Sequence, residues 1–465
     1  MATSSIDNTT NPANKLLENV LFPNEAEVMV ESLKMTSLEE IGTRPWFQQH
    51  EHIEKLNIQA IVNTKLETDE FVKEYLITHD KIPLLVHELL LVEIWKDKIF
   101  PIYLQEDFEP KVSFPCYLIL YHEATLINLL ETILFYKETC EVLAEVALDL
   151  IEYCNRKIVS LLADIQKYHE EFKAVYDNLQ QADALKQALE KEDLMLELSG
   201  QDRNMKFQII THCVTILRHL VYNLDSLPLG ASRMILNTID LPLQMVEMIE
   251  KQPWTRKEKE KVLKYWDGKW HIVPSEDRIK LTKTETQLWL IILQLLLAPE
   301  CQSRYEYNDF KKNSILRLRS HIPEYLIDQL PSLVDLQRYL HNLSIMNPPP
   351  AKKDIIIEAD HNLREALLSQ NNGKFKKIGE KQKKAIFFPS KEDLKYQADK
   401  FVETYDLNVI QTLSEGKPTC ANCGAEAEHR CSRCKNEWYC SRQCQVDSWK
   451  GHKEICSLLA DRPKE

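Results

Sequence analysis

Only nine of the 465 residues are glycine, and no two of them lie closer than Gly373 and Gly379. That scarcity closes off several chemistries at once. A loop that cradles phosphate needs glycine because the backbone must approach the ligand closely. Neither G-x-G-x-x-G nor the P-loop pattern occurs anywhere in the chain. A nucleophile elbow, G-x-S-x-G, is excluded by the same spacing. With glycine this rare and β-type alternation scarce, the remaining option for most of the chain is long helices packed against one another.

Residues 20–345 read mostly as helix. In His122 to Gln166, Leu126, Leu129, Leu130, Ile133 and Leu134 recur at helical spacing, and a second stripe runs through Val142, Val146, Leu150 and Ile151. The expected fold is mainly α: a helical scaffold of packed hairpins, armadillo-like in its simplest form although no fixed period is present, followed by a small C-terminal module. The stretch "VSFPCYLILY" (Val112–Tyr121) reads as a short strand element. The longest apolar run, Leu288–Ala298, is interrupted by Gln294 and stopped by Pro299. It falls short of the roughly 20 residues of a membrane span and is expected to be a core helix.

Boundaries follow from composition. Residues 1–20 are polar, with no secretory leader, and are expected to be disordered. Residues 21–163 and 206–345 form the two parts of the scaffold. Between them, 164–205 reads as an acidic helical or mobile insertion, with ten acidic residues against four lysines from Asp164 to Asp202. Residues 346–415 read as a Pro/Lys-rich linker and helix. Within it, Gly373–Ser390 carries six lysines and one glutamate, interleaved with Phe375, Phe387 and Phe388. Single-strand stacking is one reading of that mixture; the polar face of a linker helix is the plainer one. The net charge of −13 disfavours general nucleic-acid binding.

No catalytic constellation is visible. "HEHIE" (His50–Glu54) and "HELLL" (His87–Leu91) both lack the second histidine of H-E-x-x-H, so these histidines are expected to be packing or surface residues. Of twelve cysteines, Cys116, Cys140, Cys154, Cys213 and Cys301 are scattered among apolar residues and are expected to be inert core side chains. The other seven fall between Cys420 and Cys456. A tight cluster without paired cysteines elsewhere points to metal in a reducing compartment rather than to disulfides.

That cluster, residues 416–460, supplies eight ligands: Cys420, Cys423, Cys431, Cys434, Cys440, Cys444, His452 and Cys456. Two tetrahedral Zn2+ ions need four ligands each, so both sites are filled and neither keeps a position for a catalytic water. His429 stands outside the spacing, as a loop residue. A module this small cannot bury a sufficient apolar core, whereas structural zinc supplies roughly 10–16 kcal/mol per ion. Spacing alone permits either a sequential ligation, first four then last four, or an interleaved one. Lysines and arginines exceed acidic residues by one between Cys420 and Cys456; seven thiolates and two Zn2+ bring the module to −2. Phosphate neutralisation, on which duplex binding rests, has little support there.

The ligand order, with "WYC", "CQ", the following tryptophan and "HKEIC", resembles the MYND-type zinc finger family. That resemblance implies interleaving: Cys420, Cys423, Cys440 and Cys444 on one zinc, and Cys431, Cys434, His452 and Cys456 on the other. It also implies a binding surface for short proline-containing peptides at Ser432, Gln445 and Trp449, with a packing role in the zinc core as the alternative for Trp449. The likeness extends to "HEHIEKLNIQAI", "VEIWKDKIFP", "HEATLINLLETILF" and the region of "PSLVDLQRYL". Together these resemble a family of MYND-finger proteins that assemble axonemal dynein arms in the cytoplasm.

The resemblance implies a non-enzymatic adaptor or co-chaperone. Its expected partners are a leucine-rich-repeat dynein assembly factor, heat-shock chaperones with an immunophilin, and axonemal dynein chains as clients; nucleic acid and membrane are not among them. Expected locations are the cytoplasm, centriolar satellites and dynein assembly foci. Two other readings stand beside it: a transcriptional co-regulator, and a lysine methyltransferase pairing MYND with SET. The methyltransferase binds S-adenosylmethionine through glycine-containing loops and carries its finger mid-chain, unlike this sequence.

Overall fold

The computed structural model describes residues 21–106, 108–144, 146–166, 168–169, 194–258, 261–266, 268–352 and 362–404, and residues 420, 422, 427, 429–433, 438–449 and 453 of the C-terminal module. The expected disordered N-terminus and the centre of the acidic insertion lie outside these residues. The described chain is mainly α, as expected. Its longer helices are α1 (Arg44–Leu66), α2 (Ile82–Lys98), α3 (Phe114–Ile133), α4 (Val146–Ala163), α5 (Leu194–Tyr222), α6 (Leu241–Lys251), α7 (Lys283–Leu297), α8 (Leu333–Ile345), α9 (Leu363–Gln370), α10 (Phe375–Phe387) and α11 (Lys391–Thr404). One continuous core runs through this body. Within it α3 packs on α1, α2 and α5, while α5 also packs on α4 and α7.

One expectation is corrected by this architecture. Val112–Tyr121 is not a strand; Phe114 opens α3 and Pro115 sits in its first turn, where the missing N–H costs no hydrogen bond. The aromatic and branched residues that suggested a strand face the core. The described end of the acidic insertion takes the helical one of its two expected forms. Residues 194–205 begin α5, and Met195, Leu198 and Met205 are buried in the core.

The lysine-rich stretch shows why composition alone misplaces a segment. α10 exposes its lysines on one side and buries Ile378, Gln382, Ile386 and Phe387 on the other, the 3–4 residue spacing of an amphipathic helix. Phe387 meets Tyr103 and Phe108 edge-on, each at 5.2 Å between ring centres, so that ring is not available for stacking on bases. Gln382 accepts from Trp95 Nε1 at 2.9 Å and donates to the Leu38 carbonyl at 2.7 Å. Residues 375–388 are therefore part of the scaffold's core rather than a connection.

α2 is buried nearly all round, including Glu88, Glu93 and Lys96. Buried charges must be paired, and here one network joins five helices. Glu123 on α3 receives Lys96 at 2.6 Å, Lys157 of α4 at 2.7 Å and the Tyr153 hydroxyl at 2.7 Å. Lys96 also meets Asp202 of α5 at 2.7 Å. Glu93 takes Arg156 at 2.6 Å and Arg364 of α9 at 3.2 Å. Burial by itself would raise the pKa of Glu123, but Lys157 and Lys96 override it and hold the carboxyl well below its usual range.

The body also contains a sheet that the helical reading did not anticipate. β1 (Thr255–Glu258), β2 (Lys261–Trp266) and β3 (Lys269–Val273) pair antiparallel in the order β1-β2-β3. Its buried Tyr265 meets Phe207 of α5 at 4.6 Å. Lys264 reaches Glu285 at 3.3 Å, and Glu285 closes a capping box with Thr282 at the start of α7.

Candidate metal centre

The C-terminal module has a small core of its own. Cys420, Ala427, Cys431 and Tyr439 are buried together, with Trp438, Cys440 and Cys444 against them. β4 (His429–Arg430) and β5 (Trp438–Tyr439) pair antiparallel, His429 opposite Tyr439 and Arg430 opposite Trp438. The Arg430 guanidinium lies over the Trp438 ring at 5.5 Å. His429 is exposed on β4 and is not part of the thiol cluster described next.

Just after β5 the chain turns into a helix at 442–449. Ser441 caps it, its Oγ accepting from the Cys444 N–H at 3.2 Å. The cap fixes the geometry of the flanking thiols. Cys440 precedes the helix rather than lying on it, yet its Sγ is 3.5 Å from that of Cys444. Cys420 joins them, so that three Sγ atoms lie within 4.8 Å of one another.

This donor set fits zinc. A tetrahedral ion with Zn–S bonds near 2.3 Å holds its sulfurs about 3.8 Å apart, and the three thiols, none of them in a disulfide, stand at that scale. Cys431 shares the core but not the trio. Cys420 is thus grouped with Cys440 and Cys444 across the intervening pair, a grouping that a sequential ligation would not produce. Cys423, Cys434, His452 and Cys456 lie outside the described residues.

The expected peptide-contacting residues take different positions. Ser432 is exposed in the turn after β4, Gln445 is half-buried, and Trp449 is 36% exposed. Gln445 and Trp449 sit four residues apart on the 442–449 helix, which puts them on one face. Sequence reasoning did not find the Ser441 cap or the Arg430–Trp438 stack. A serine three residues before Cys444 is the available signal for the cap; nothing in the spacing announces the stack.

The rejected histidine motifs prove to be packing residues. His50 is buried, stacked on Trp46, with its Nδ1 2.8 Å from that of His122. Burial lowers the His50 pKa to about 4. His87 is buried beside Glu88. Cys116, Cys140, Cys154, Cys213 and Cys301 are all buried and free. Among the described residues no helix is long and apolar enough to cross a membrane.

Residues 420–456 match the MYND finger family. Zinc finger MYND domain-containing protein 10 homolog of Drosophila melanogaster is 31% identical over 462 residues, spanning 94% of this chain and 99% of that protein. Ubiquitin C-terminal hydrolase 15 of Oryza sativa subsp. japonica is 53% identical over 38 residues, 8% of this chain and 4% of that one. Tudor domain-containing protein 1 of Mus musculus is 47% identical over 38 residues, 8% of this chain and 3% of that one. Matches of that length are the size of a finger and carry nothing about the helical body. No solved structure matches the chain. The Drosophila likeness, by contrast, runs through body and finger alike, and the chain belongs to the zinc finger MYND domain-containing protein 10 family.

Proposed function

We propose that this protein is a non-enzymatic cytoplasmic adaptor, a co-chaperone for the preassembly of inner and outer axonemal dynein arms. The observation that carries the reading is family membership over the whole chain, helical body included. The finger is a module shared with proteins of other kinds, so the body is what narrows the function. Its partners are a leucine-rich-repeat assembly factor, a heat-shock chaperone with an immunophilin, and dynein chains as clients.

In this reading the finger is a docking module with two zinc sites. Cys420, Cys423, Cys440 and Cys444 hold one ion and Cys431, Cys434, His452 and Cys456 the other. Bound zinc supplies the folding free energy that so small a core lacks. Ser432, Gln445 and Trp449 read an extended segment of a partner, Trp449 contributing apolar area and Gln445 hydrogen bonds. The clustered thiols, and the exposed Trp449 on the same short helix as Cys444, support this assignment. The test is recovery of the leucine-rich-repeat factor and dynein heavy chains with the tagged protein from ciliating cells. Trp449→Ala should lose the leucine-rich-repeat factor while keeping zinc. Retention of that factor would remove the finger surface from the mechanism, and absence of dynein chains from the wild-type capture would overturn the client assignment.

A further inference from the structure

The N-terminal end of α1, the second half of α10 and the first turns of α11 enclose a cleft of about 530 Å3, within the size range of built binding pockets. Phe47, Phe388 and Pro389 give it an apolar floor. Its rim is cationic, with Arg44, Lys381 and Lys384, in a protein whose net charge is −13.

The charges there are not consumed by the fold. Arg44 lies over the Tyr396 ring at 4.6 Å and, like Lys384, has no acidic partner among the described residues. Lys381 stands 3.7 Å from an exposed Glu39, a pair that solvent screens. The single lining carboxylate, Asp393, already accepts from the Ser390 hydroxyl at 2.7 Å. α1 adds to the positive field. Its N-cap, Thr43, makes no side-chain cap, and its hydroxyl donates to the Glu40 carbonyl. The first-turn amides are left as an anion-favouring end.

An apolar floor and a cationic rim together describe the complement of an acidic peptide.

From this geometry we infer that the cleft docks an acidic segment of a partner protein. One apolar side chain enters over Phe47 and Phe388, and flanking carboxylates meet Arg44, Lys381 and Lys384. Nucleic acid fits less well: Phe387 is buried in the core, and Asp393 faces the same space. None of the lining residues belongs to the finger.

The test uses the full-length protein and four fluorescein-labelled pentapeptides, each two glutamates on either side of a central leucine, isoleucine, phenylalanine or tryptophan, in fluorescence anisotropy. At least one should bind saturably and weaken as salt rises. Arg44→Glu with Lys384→Glu should weaken binding by about tenfold or more. Ala385→Trp, at an exposed lining position, should block the cleft without changing charge, with thermal melting confirming an intact fold for both variants. No saturable binding, or binding unaffected by both variants, overturns the inference. So does tighter binding of a ten-residue oligothymidylate through the same three positions.

Discussion

Replacing Glu123 by glutamine keeps the side chain's shape and removes one charge from the centre of the helical body. The carboxylate is fully buried and receives Lys96, Lys157 and the Tyr153 hydroxyl. Breaking a buried ion pair by removing one partner costs about 3–5 kcal/mol, because the other charge is left without compensation. Each lysine keeps one carboxylate, Lys96 with Asp202 at 2.7 Å and Lys157 with Glu93 at 3.4 Å. The cost therefore belongs at the lower end, about 3 kcal/mol, or a fall in melting temperature of about 4 °C for a body of this size. The pH dependence adds a sign. The folded pKa of Glu123 lies below its ordinary 4.5, so its contribution is complete above that value and is lost as pH falls toward the folded pKa. Urea unfolding followed by circular dichroism should show the full gap between wild type and variant at neutral pH. At about pH 3.5 the gap should be about 1 kcal/mol smaller. A neutral-pH gap below about 0.5 kcal/mol, the scale of ordinary surface substitutions, would refute the claim that this network holds the helices together.

Other substitutions probe the packing more locally. Gly42 has φ +82°, and a Cβ there would stand 3.0 Å from Ile386 Cγ1; Gly42→Ala should lower stability by about 1–3 kcal/mol in the same unfolding assay. Gln382→Leu leaves the Trp95 N–H and the Leu38 carbonyl without partners and should cost about 2–4 kcal/mol; unchanged stability would mean that α10 does not pin the core. For His50 the folded pKa of about 4 lies below the ordinary 6.5. Its contribution is present above pH 6.5 and is lost as pH falls through the folded value, so nuclear magnetic resonance titration of the ring should show no protonation at pH 5.5. Cys440→Ala should release at least one zinc and unfold the finger while leaving the body's melting transition in place; retention of two ions per chain in elemental analysis would contradict the proposed ligation.

How far each element is legible in the amino-acid sequence depends on how local its determinant is. Leu126, Leu129, Leu130, Ile133 and Leu134 stand at helical spacing and are all buried, because periodicity within one helix is written in consecutive residues. The helix itself is broken sooner than the pattern suggests. α3 ends at Ile133, and Ala144 has a positive φ before α4 begins. α10 is obscured by its lysines, since a net count of charge hides that they occupy one face. The Glu123 network cannot be read from the chain at all: its charges come from helices separated by up to about 270 residues, and no pattern links Arg364 to Glu93. The sheet does carry a local signal. Asp267–Gly268 between two runs rich in aromatic and branched residues is the composition of a tight hairpin, and Gly268 has φ +73°. In the finger, spacing identifies the ligand candidates, while the grouping of Cys420 with Cys440 and Cys444 is a property of the folded module.

The proposal that this chain prepares dynein arms is tested most directly by electron microscopy of axonemes from ciliated cells that lack it. The account predicts cilia that are present and immotile, with both outer and inner arms missing, and restored by the wild-type chain. Axonemes with a normal complement of arms would contradict it.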